Sequence, residues 1–355
     1  MPIMDSDPET TRLAQLLREL GAGEQEARAA AAGGSGGVLA LELALRTGPP
    51  LTVAAAAAAT GLEPDTFMRF WHALGLATPP AGAAAVPVDI VAALPVVSEA
   101  THAWLGEESA LGIARVIGST SARIAEALVD AFRLGFEVPE LTAGTSYSEV
   151  VEQYVEITRV SLPAFQEFVG AVVKAHLVRV ASSTWSLDED NLATGRELFV
   201  GFVDLVGYTA LARTLTAGEL AALVRRFEEV VADVVTTGGG RVVKLIGDGA
   251  MFAADAVADG CRIALALSDR LAEAESLPPA RVGADCGPVV SLYGDYFGEV
   301  VDRAARLVAL ANPSTVVVSE RVAAGGGRSF SFEQLPPQAL KGFGAPAVTY
   351  RLLAR

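Results

Sequence analysis

Two aspartates stand at the ends of apolar runs in the second half of the chain. Asp204 follows the run Leu198–Val203, and Asp248 lies in a Gly-Asp-Gly turn between the runs Val242–Ile246 and Ala250–Ala253. If these strands end side by side, the two carboxylates offer the oxygen ligands that hard divalent cations prefer. A pair of such ions is a common means of driving an in-line displacement at phosphorus. The spacing therefore predicts a divalent-metal site suited to phosphoryl chemistry.

The elements around these aspartates alternate between strand and helix periods from Arg196 onwards. We expect strands at 198–203, 242–246, 250–253, 280–286, 289–292, 315–319, 330–335 and 348–353, and helices from about 217, over 256–275 and over 300–311. Alternating strands and helices with hairpins predict an α+β fold, with helices packed over one sheet.

The first half shows helical periodicity and no strand-like segment. Predicted helices cover 9–20, 38–46, the Ala-rich stretch 51–60, 66–76, 113–117, 124–134, 147–160 and 163–181, with a loop at 77–95. A polar, acidic linker follows at 182–191. We therefore expect an all-α domain over 1–181, a linker over 182–196 and a second domain over 197–355.

The two halves also differ in charge. Residues 1–190 hold 11 Lys and Arg against 24 Asp and Glu, a net of −13, whereas residues 191–355 have a net of −2. A polyanionic substrate is therefore expected on the second half. The helix pair around Gly61 has the outline of a helix-turn-helix, but Arg69 is its only cation, and DNA binding needs many contacts from Lys and Arg to phosphate. We expect a packing hairpin and no nucleic-acid partner.

Composition narrows the cellular setting. Hydrophobic residues make up 51% of the chain and charged residues 19%, which suits two folded domains with cores of their own. No apolar run reaches the roughly 18–20 residues that span a bilayer, and the N-terminus lacks the basic start of a signal peptide. Cys261 and Cys286 stand apart without neighbouring His, so a structural zinc site is not expected. A cytoplasmic protein without a transmembrane segment is predicted.

Four motifs stand in order in the second half. They are Phe-x-Asp-x-x-Gly-Tyr-Thr at 202–209, Val-x-Lys-x-x-Gly-Asp-Gly at 242–249, Asp-x-x-Gly-x-x-Val-x-x-Ala-Ala-Arg-Leu at 295–307 and Leu-Lys-Gly at 340–342. Together they resemble the class III nucleotidyl cyclase domain. The runs at 70–76 and 113–120 resemble, more loosely, the regulatory domain of mycobacterial pH-sensing adenylyl cyclases. The resemblance implies a ferredoxin-like α/β catalytic domain behind an all-α regulatory domain.

The resemblance assigns a role to the first two motifs. Asp204 and Asp248 match the two metal-binding aspartates, which would hold two Mg²⁺ or Mn²⁺ ions. The turn after Asp204 would present backbone N–H groups to the triphosphate at a helix start, where the dipole favours anions. Its residues are Val206, Gly207, Tyr208 and Thr209.

Lys244 and Asp295 match the pair that selects the base. An ammonium can donate to adenine N1 and a carboxylate can accept from the N6 amine, whereas guanine presents the opposite pattern at those edges. The guanylyl cyclases of the family have Glu in place of the Lys. The resemblance therefore implies ATP as the substrate, with GTP as the disfavoured alternative.

Arg306 and Lys341 match the transition-state arginine and a lysine that reaches the phosphates. Attack of the ribose 3′ oxygen on the α-phosphorus builds up negative charge, which a fixed guanidinium would stabilise. The resemblance thus implies an adenylate cyclase, an enzyme that converts ATP into 3′,5′-cyclic AMP and pyrophosphate.

Position 302 departs from the family pattern. The family usually has Asn there, which orients the ribose, and this chain has Asp302. A carboxylate cannot donate a hydrogen bond as an amide does, and the loss of one preorganised donor can cost about 10²–10³ in rate. Arg303 is next to it but would point elsewhere on the helix. Two alternatives stay open: an active cyclase, and a cyclase-homology module that binds nucleotide and turns over poorly.

The resemblance also implies an assembly and a mode of control. In the family the metal aspartates come from one subunit, and the base-selecting and transition-state residues come from the other. Because this chain has both sets, a head-to-tail homodimer with two sites is expected, with a short dimer arm before Asp295. A helical domain that moves the two catalytic domains apart would dismantle both sites. The implied regulator is a proton or a fatty acid.

All three histidines, His72, His102 and His176, lie in the helical half. They are either partly buried helix residues that a neighbour satisfies, or proton sensors, since the pKa of free His lies near physiological pH.

Overall fold

A computed structural model describes residues 7–95, 105–184 and 196–355 of the chain. The chain divides into two compact units, Met1–Leu177 and Val178–Arg355. Most of the predicted linker lies outside the described residues, so the predicted domain limits at 181 and 197 stay a prediction.

The first unit is built from helices. In chain order they are Pro8–Glu19, Glu24–Ala32, Gly36–Leu45, Val53–Thr60, Pro64–Ala73, residues 88–95, Gly106–Phe132, the π-helical turn Arg133–Glu137, Val138–Ala143 and Tyr147–Thr184. Two hydrophobic clusters hold them. One centres on Leu13, Leu17 and Val151, and the other on Phe67 and Phe70.

Several predicted helix limits are wrong, for identifiable reasons. The loop expected at 77–95 ends in a helix over 88–95, because Val91 and Leu94 are spaced to reach the core, where both are buried. The helices expected at 113–117 and 124–134 are one, since Gly118 lies inside it. A Cβ on Gly118 would lie 2.4 Å from the Leu74 carbonyl oxygen, so this glycine permits close packing rather than a break.

Pro163 does not end a helix either. The sequence predicts helices at 147–160 and 163–181, but one helix, Tyr147–Thr184, contains both segments and the first residues of the predicted linker. Proline removes one backbone donor inside a helix, and the long helix-forming runs on both sides carry the helix past it. The helix Glu24–Ala32 is a further element that the sequence reasoning does not predict.

The helix pair Val53–Thr60 and Pro64–Ala73 is a packing hairpin, as expected. Gly61 joins the two helices in the left-handed conformation, at φ 69°. Phe67 and Phe70 are buried, and Arg69 forms an ion pair with Glu107 at 2.6 Å. The cation that DNA binding would use is therefore engaged within the unit.

The second unit contains, among its described residues, a mixed sheet of eight strands. The strands are β1 Arg196–Leu205, β2 Arg241–Ile246, β3 Gly249–Ala254, β4 Ala280–Leu292, β5 Asp295–Phe297, β6 Val316–Ser319, β7 Ser331–Gln338 and β8 Ala347–Leu353. Their order in the sheet is β2-β3-β1-β4-β6-β8-β7, and β5 pairs with β4. The helices are Tyr208–Ala212, Ala217–Thr237, Val257–Glu273, Glu299–Leu310 and Glu320–Gly325, with a 3₁₀ turn at Gly327–Ser329. The predicted α+β class is confirmed. The strands expected at 280–286 and 289–292 form the single strand β4.

Alternate residues of β1 face opposite sides of the sheet. Phe199 and Val203 belong to the large core formed with the helices Ala217–Thr237 and Val257–Glu273. Leu198 and Val200 pack instead in a smaller cluster with residues of the helix Glu299–Leu310. We call the first side the core face and the second the helix-299 face. Helices thus cover both faces of the sheet.

Across the described stretches of the chain, no helix combines the length and the apolar character that crossing a bilayer requires.

Candidate active site

Asp204 and Asp248 lie side by side, as the strand pattern predicts. Asp204 pairs across the ladder with Gly249, and the Leu205 N–H donates to the Asp248 carbonyl oxygen at 3.1 Å. A Cβ on Gly249 would lie 2.9 Å from the Val203 carbonyl oxygen, so glycine is needed for this approach. By strand alternation Asp204 belongs to the helix-299 face. That Asp204 and Asp248 bind metal ions stays a prediction.

The electrostatics of the pair fit a divalent cation. Burial raises the pKa of Asp248 above its usual value, and the charge of Asp204 adds to that effect. Within the described residues no group of three or more His, Cys, Asp or Glu is arranged to hold a metal. Mg²⁺ is commonly held by one or two carboxylates together with substrate phosphates and water. Two adjacent carboxylates are therefore enough as the ligands that the protein itself supplies to such an ion.

Arg281 is a member of this site that the sequence reasoning misses. It pairs with Asp204 across β1 and β4, and its Nη2 and Nε lie 2.7 and 2.8 Å from Asp204 Oδ2. Its Nη1 also reaches the Ala309 carbonyl oxygen at 3.4 Å. Both close contacts use the same carboxylate oxygen, so Oδ1 of Asp204 remains for another ligand. Only the strand register brings Arg281 here, and one sequence does not reveal that register.

The turn after Asp204 differs in one detail from the expectation. The Val206 N–H donates to the Pro279 carbonyl oxygen at 2.9 Å, so it is not available to a phosphate. Gly207 has φ 79° and precedes the short helix Tyr208–Ala212. The predicted phosphate contacts therefore reduce to the N–H groups of Gly207, Tyr208 and Thr209.

Lys244 and Asp295 meet, as the base-selection hypothesis requires. The Lys244 Nζ lies 2.5 Å from Asp295 Oδ2, and Asp295 Oδ1 accepts from the Tyr296 N–H at 2.8 Å. A bulge in β2 lies between Val242 and Lys244. The two side chains are 39% and 29% exposed, so a planar base has access to both. One donor and one acceptor thus stand next to each other at the surface.

Asp302 and Arg306 occupy one exposed side of the helix Glu299–Leu310, four residues apart. Side chains with this spacing are neighbours on a helix. Lys341 is exposed in the turn between β7 and β8, next to Gly342 at φ 93°. Arg306 thus lies on this helix, and the turn with Lys341 is joined to the same helix through Leu340, which packs in one cluster with Leu307.

Comparison with known proteins places the chain in a family. The family model of the adenylate and guanylate cyclase catalytic domain matches residues 194–354. An adenylate cyclase of Streptomyces coelicolor is 37% identical over 264 residues, which are 74% of this chain and 68% of that protein. An adenylate cyclase of Streptomyces griseus is 35% identical over 264 residues, which are 74% of this chain and 65% of that protein. The chain belongs to the class III nucleotidyl cyclase family.

A third relative of this cyclase carries a regulatory property in its name. The pH-sensitive adenylate cyclase of Mycobacterium tuberculosis is 33% identical over 131 residues, which are 37% of this chain and 33% of that protein. The matches to the two Streptomyces enzymes span about two thirds of each enzyme.

The two histidines that the structure describes do not fit the interpretation of partly buried helix residues. His72 and His176 are both exposed, so partial burial is wrong for them. The His72 Nε2 lies 2.9 Å from Thr78 Oγ1, a surface contact. His102 lies outside the described residues. The regulatory role of the three histidines stays a prediction.

Proposed function

We propose that this cyclase converts ATP into 3′,5′-cyclic AMP and pyrophosphate. The observation that carries the proposal is the contact between Lys244 and Asp295, which presents a donor beside an acceptor at a partly open surface. Adenine offers the matching acceptor at N1 and donor at the N6 amine, whereas guanine reverses the two. The Streptomyces relatives named adenylate cyclase support the same substrate.

Asp204 and Asp248 would hold two Mg²⁺ or Mn²⁺ ions together with the triphosphate. Such ions neutralise phosphate charge and make a hydroxyl a better nucleophile. Arg281 occupies Oδ2 of Asp204 and fixes the orientation of that carboxylate, which leaves Oδ1 for the ion. The protein's own task at this end of the site is to hold the two carboxylates adjacent.

Arg306 would stabilise the charge that develops on the α-phosphate oxygens as the ribose 3′ oxygen attacks. A guanidinium presents several donors in a fixed plane, which suits a phosphate in its transition state. Lys341 would contact the phosphates that leave as pyrophosphate. Asp302 stands four residues before Arg306 and can accept from a ribose hydroxyl but cannot donate to the ribose while it is ionised.

A head-to-tail homodimer is part of the proposal, and the β4–β5 hairpin supports it. The hairpin turns through Tyr293 and Gly294, whose φ values of 52° and 82° suit a tight two-residue turn, so the arm is short. Exposed apolar side chains lie on the same strands as Lys244 and Asp295, namely Ile246 on β2 and Val290, Leu292 and Phe297 on the hairpin. Clustered exposed apolar surface commonly marks a protein interface.

Control by the helical first unit is the remaining part of the proposal, with a proton or a fatty acid as the regulator. A partly open pocket of about 210 Å³ lies in that unit, and its lining is apolar, from Phe70, Leu74, Ile90, Leu94 and Ile117 among others. Ligand pockets commonly measure about 300–1,000 Å³, so this pocket would take an apolar group of limited size.

The experiment that tests the function is direct. Purified protein with Mn²⁺ or Mg²⁺ should form cyclic AMP from ATP, with a lower kcat/KM for GTP. If neither the wild type nor Asp302→Asn forms cyclic AMP, adenylate cyclase activity is excluded. A higher kcat/KM for GTP than for ATP would exclude the proposed base selection.

The second candidate is a nucleotide-binding signalling module with little turnover, which Asp302 favours. It predicts that ATP binds while kcat is very low, and that Asp302→Asn raises kcat by about 10–10³-fold through the restored donor. A high wild-type kcat that Asp302→Asn leaves unchanged would exclude this candidate.

A further inference from the structure

A buried carboxylate lies beneath the helix that carries Arg306. Asp285 of β4 is fully buried. Its Oδ1 accepts from the Cys286 N–H at 2.8 Å and from the Ser319 hydroxyl. Its Oδ2 has no hydrogen-bond partner among the described residues and lies 3.4 Å from Arg303 Nε.

Asp285 and Arg303 are each held by further polar contacts. Burial raises the pKa of Asp285, whereas the hydrogen bonds from Ser319 and Cys286 and the charge of Arg303 favour the ionised form. An ionised carboxylate inside a protein is stable only with such partners. On its outer side the Arg303 Nη2 donates to Glu299, one turn earlier on the same helix.

The guanidinium of Arg303 continues to an aromatic ring. Its Cζ lies 5.0 Å from the centroid of the Phe343 ring, a cation–π arrangement. The Phe343 N–H donates to the Leu340 carbonyl oxygen at 3.0 Å, which closes the turn 340–343. Leu340 is buried in the cluster that contains Leu307 of the same helix. Lys341 thus lies between two anchors on that helix.

We propose that Asp285 and Arg303 form a positioning pair, which acts through Phe343 to hold the turn with Lys341 against the helix with Arg306. The pair sets the geometry in which the two cations meet the triphosphate. It touches no substrate itself, and the inference rests on the proposed cyclase function. Neither Asp285 nor Arg303 stands among the residues to which the four sequence motifs assign a role.

A double-mutant cycle separates positioning from general packing. Phe343→Leu removes the ring but keeps an apolar side chain, and should lower kcat/KM for ATP by about tenfold. In a Lys341→Met background it should change kcat/KM by less than about twofold, because residues that act through one another are not additive. Phe343→Tyr keeps the ring face and should retain activity.

Phe332→Leu is the matched control, since Phe332 packs on the large core away from Arg303. Its effect should multiply with that of Lys341→Met. If the effect of Phe343→Leu also multiplies with that of Lys341→Met, the positioning role is wrong.

The paired substitution Asp285→Asn with Arg303→Met tests the other end without leaving a buried charge. It should reproduce the tenfold loss and the non-additivity with Lys341→Met. Wild-type kcat/KM in the paired variant would overturn the inference.

Amide hydrogen exchange gives a readout that does not depend on turnover. In Phe343→Leu and in the paired variant, exchange of the backbone amide at position 343 should become faster, while the helix Ala217–Thr237 stays unchanged. Unchanged exchange at the turn 340–343 would overturn the positioning role even if the chain forms no cyclic AMP. An inactive wild type with faster exchange in the variants would refute the proposed function alone.

Discussion

At the scale of single residues, three close pairs of opposite charge lie in the site or directly beneath it. Lys244 holds Asp295, Arg281 holds Asp204, and Arg303 holds Asp285. Each pair joins residues far apart in sequence, and each fixes a side chain before any nucleotide arrives. A site whose charges are already oriented does not have to reorganise during the reaction.

Lys244→Met should lower kcat/KM for ATP by about 100-fold, because Asp295 then loses its partner and adenine N1 loses its donor. The kcat/KM for GTP should change much less, so the ATP-to-GTP ratio should fall. Steady-state assays with both nucleotides measure this ratio. Lys174→Met is the matched control, since Lys174 is an exposed residue of the first unit; an equal loss there would contradict base selection.

At the scale of elements, close helix contacts depend on single glycines. Gly118→Ala should destabilise the protein by about 1–3 kcal/mol, because the added Cβ would meet the Leu74 backbone at 2.4 Å. Gly170 lies in the helix Tyr147–Thr184, and its Cβ position faces open space. Gly170→Ala should therefore stabilise by up to about 1 kcal/mol through helix propensity. Denaturant unfolding measures both, and equal signs would contradict the packing argument.

The capping box of the helix Ala217–Thr237 gives a pH dependence. The Glu219 side chain accepts from the backbone N–H and the hydroxyl of Thr216, and these hydrogen bonds lower the pKa of Glu219. A lowered folded-state pKa stabilises the protein above the unfolded pKa of about 4.3, and this contribution is lost as the pH falls through the folded value.

The free energy of unfolding should therefore drop less at acid pH in Glu219→Gln than in the wild type. Thermal unfolding of both proteins between pH 3 and 7 tests this. If the free energy of unfolding depends on pH in the same way in Glu219→Gln and in the wild type, the prediction is wrong. Thr216→Ala should cost about 1 kcal/mol at neutral pH, since it removes the N-cap.

The sequence predicts the long elements of this cyclase well and their register poorly. β1 and the helix Ala217–Thr237 have long apolar patterns, so both are found close to their predicted limits. β5 has three residues, too few to show a period. The motifs place Lys244 and Asp295 in the site, but Arg281 depends on strand register and Arg303 on a packed helix face.

At the scale of the whole molecule, the proposed homodimer makes a prediction about mixtures. Asp204→Ala and Lys244→Met should each lack most activity alone. In a head-to-tail dimer a mixed pair restores one site, because the metal carboxylates and the base-selecting pair come from different protomers. Equal mixing with exchange should therefore recover about a quarter of wild-type activity, since half of the dimers are mixed. Cyclic AMP assays after mixing measure this recovery.

Asp204→Ala mixed with Asp248→Ala is the control, since both substitutions affect the same half of a site. Every dimer in that mixture lacks a complete site, so activity should stay low. Recovery in the control, or none in the first mixture, would contradict the head-to-tail arrangement.

Because alternate side chains of β1 face opposite sides of the sheet, substitutions at its odd-numbered and even-numbered positions should have different effects. Side chains on the core face, such as Phe199 and Val203, serve only the interior between sheet and helices, so directed evolution can exchange them for other apolar residues of similar volume. Phe202 and Asp204, on the helix-299 face, lie level with Lys244 and Arg281 through the ladder. A library that varies only Phe199, Val203 and Leu205, the apolar core-face positions of β1, should yield variants that differ in melting temperature but share one substrate preference.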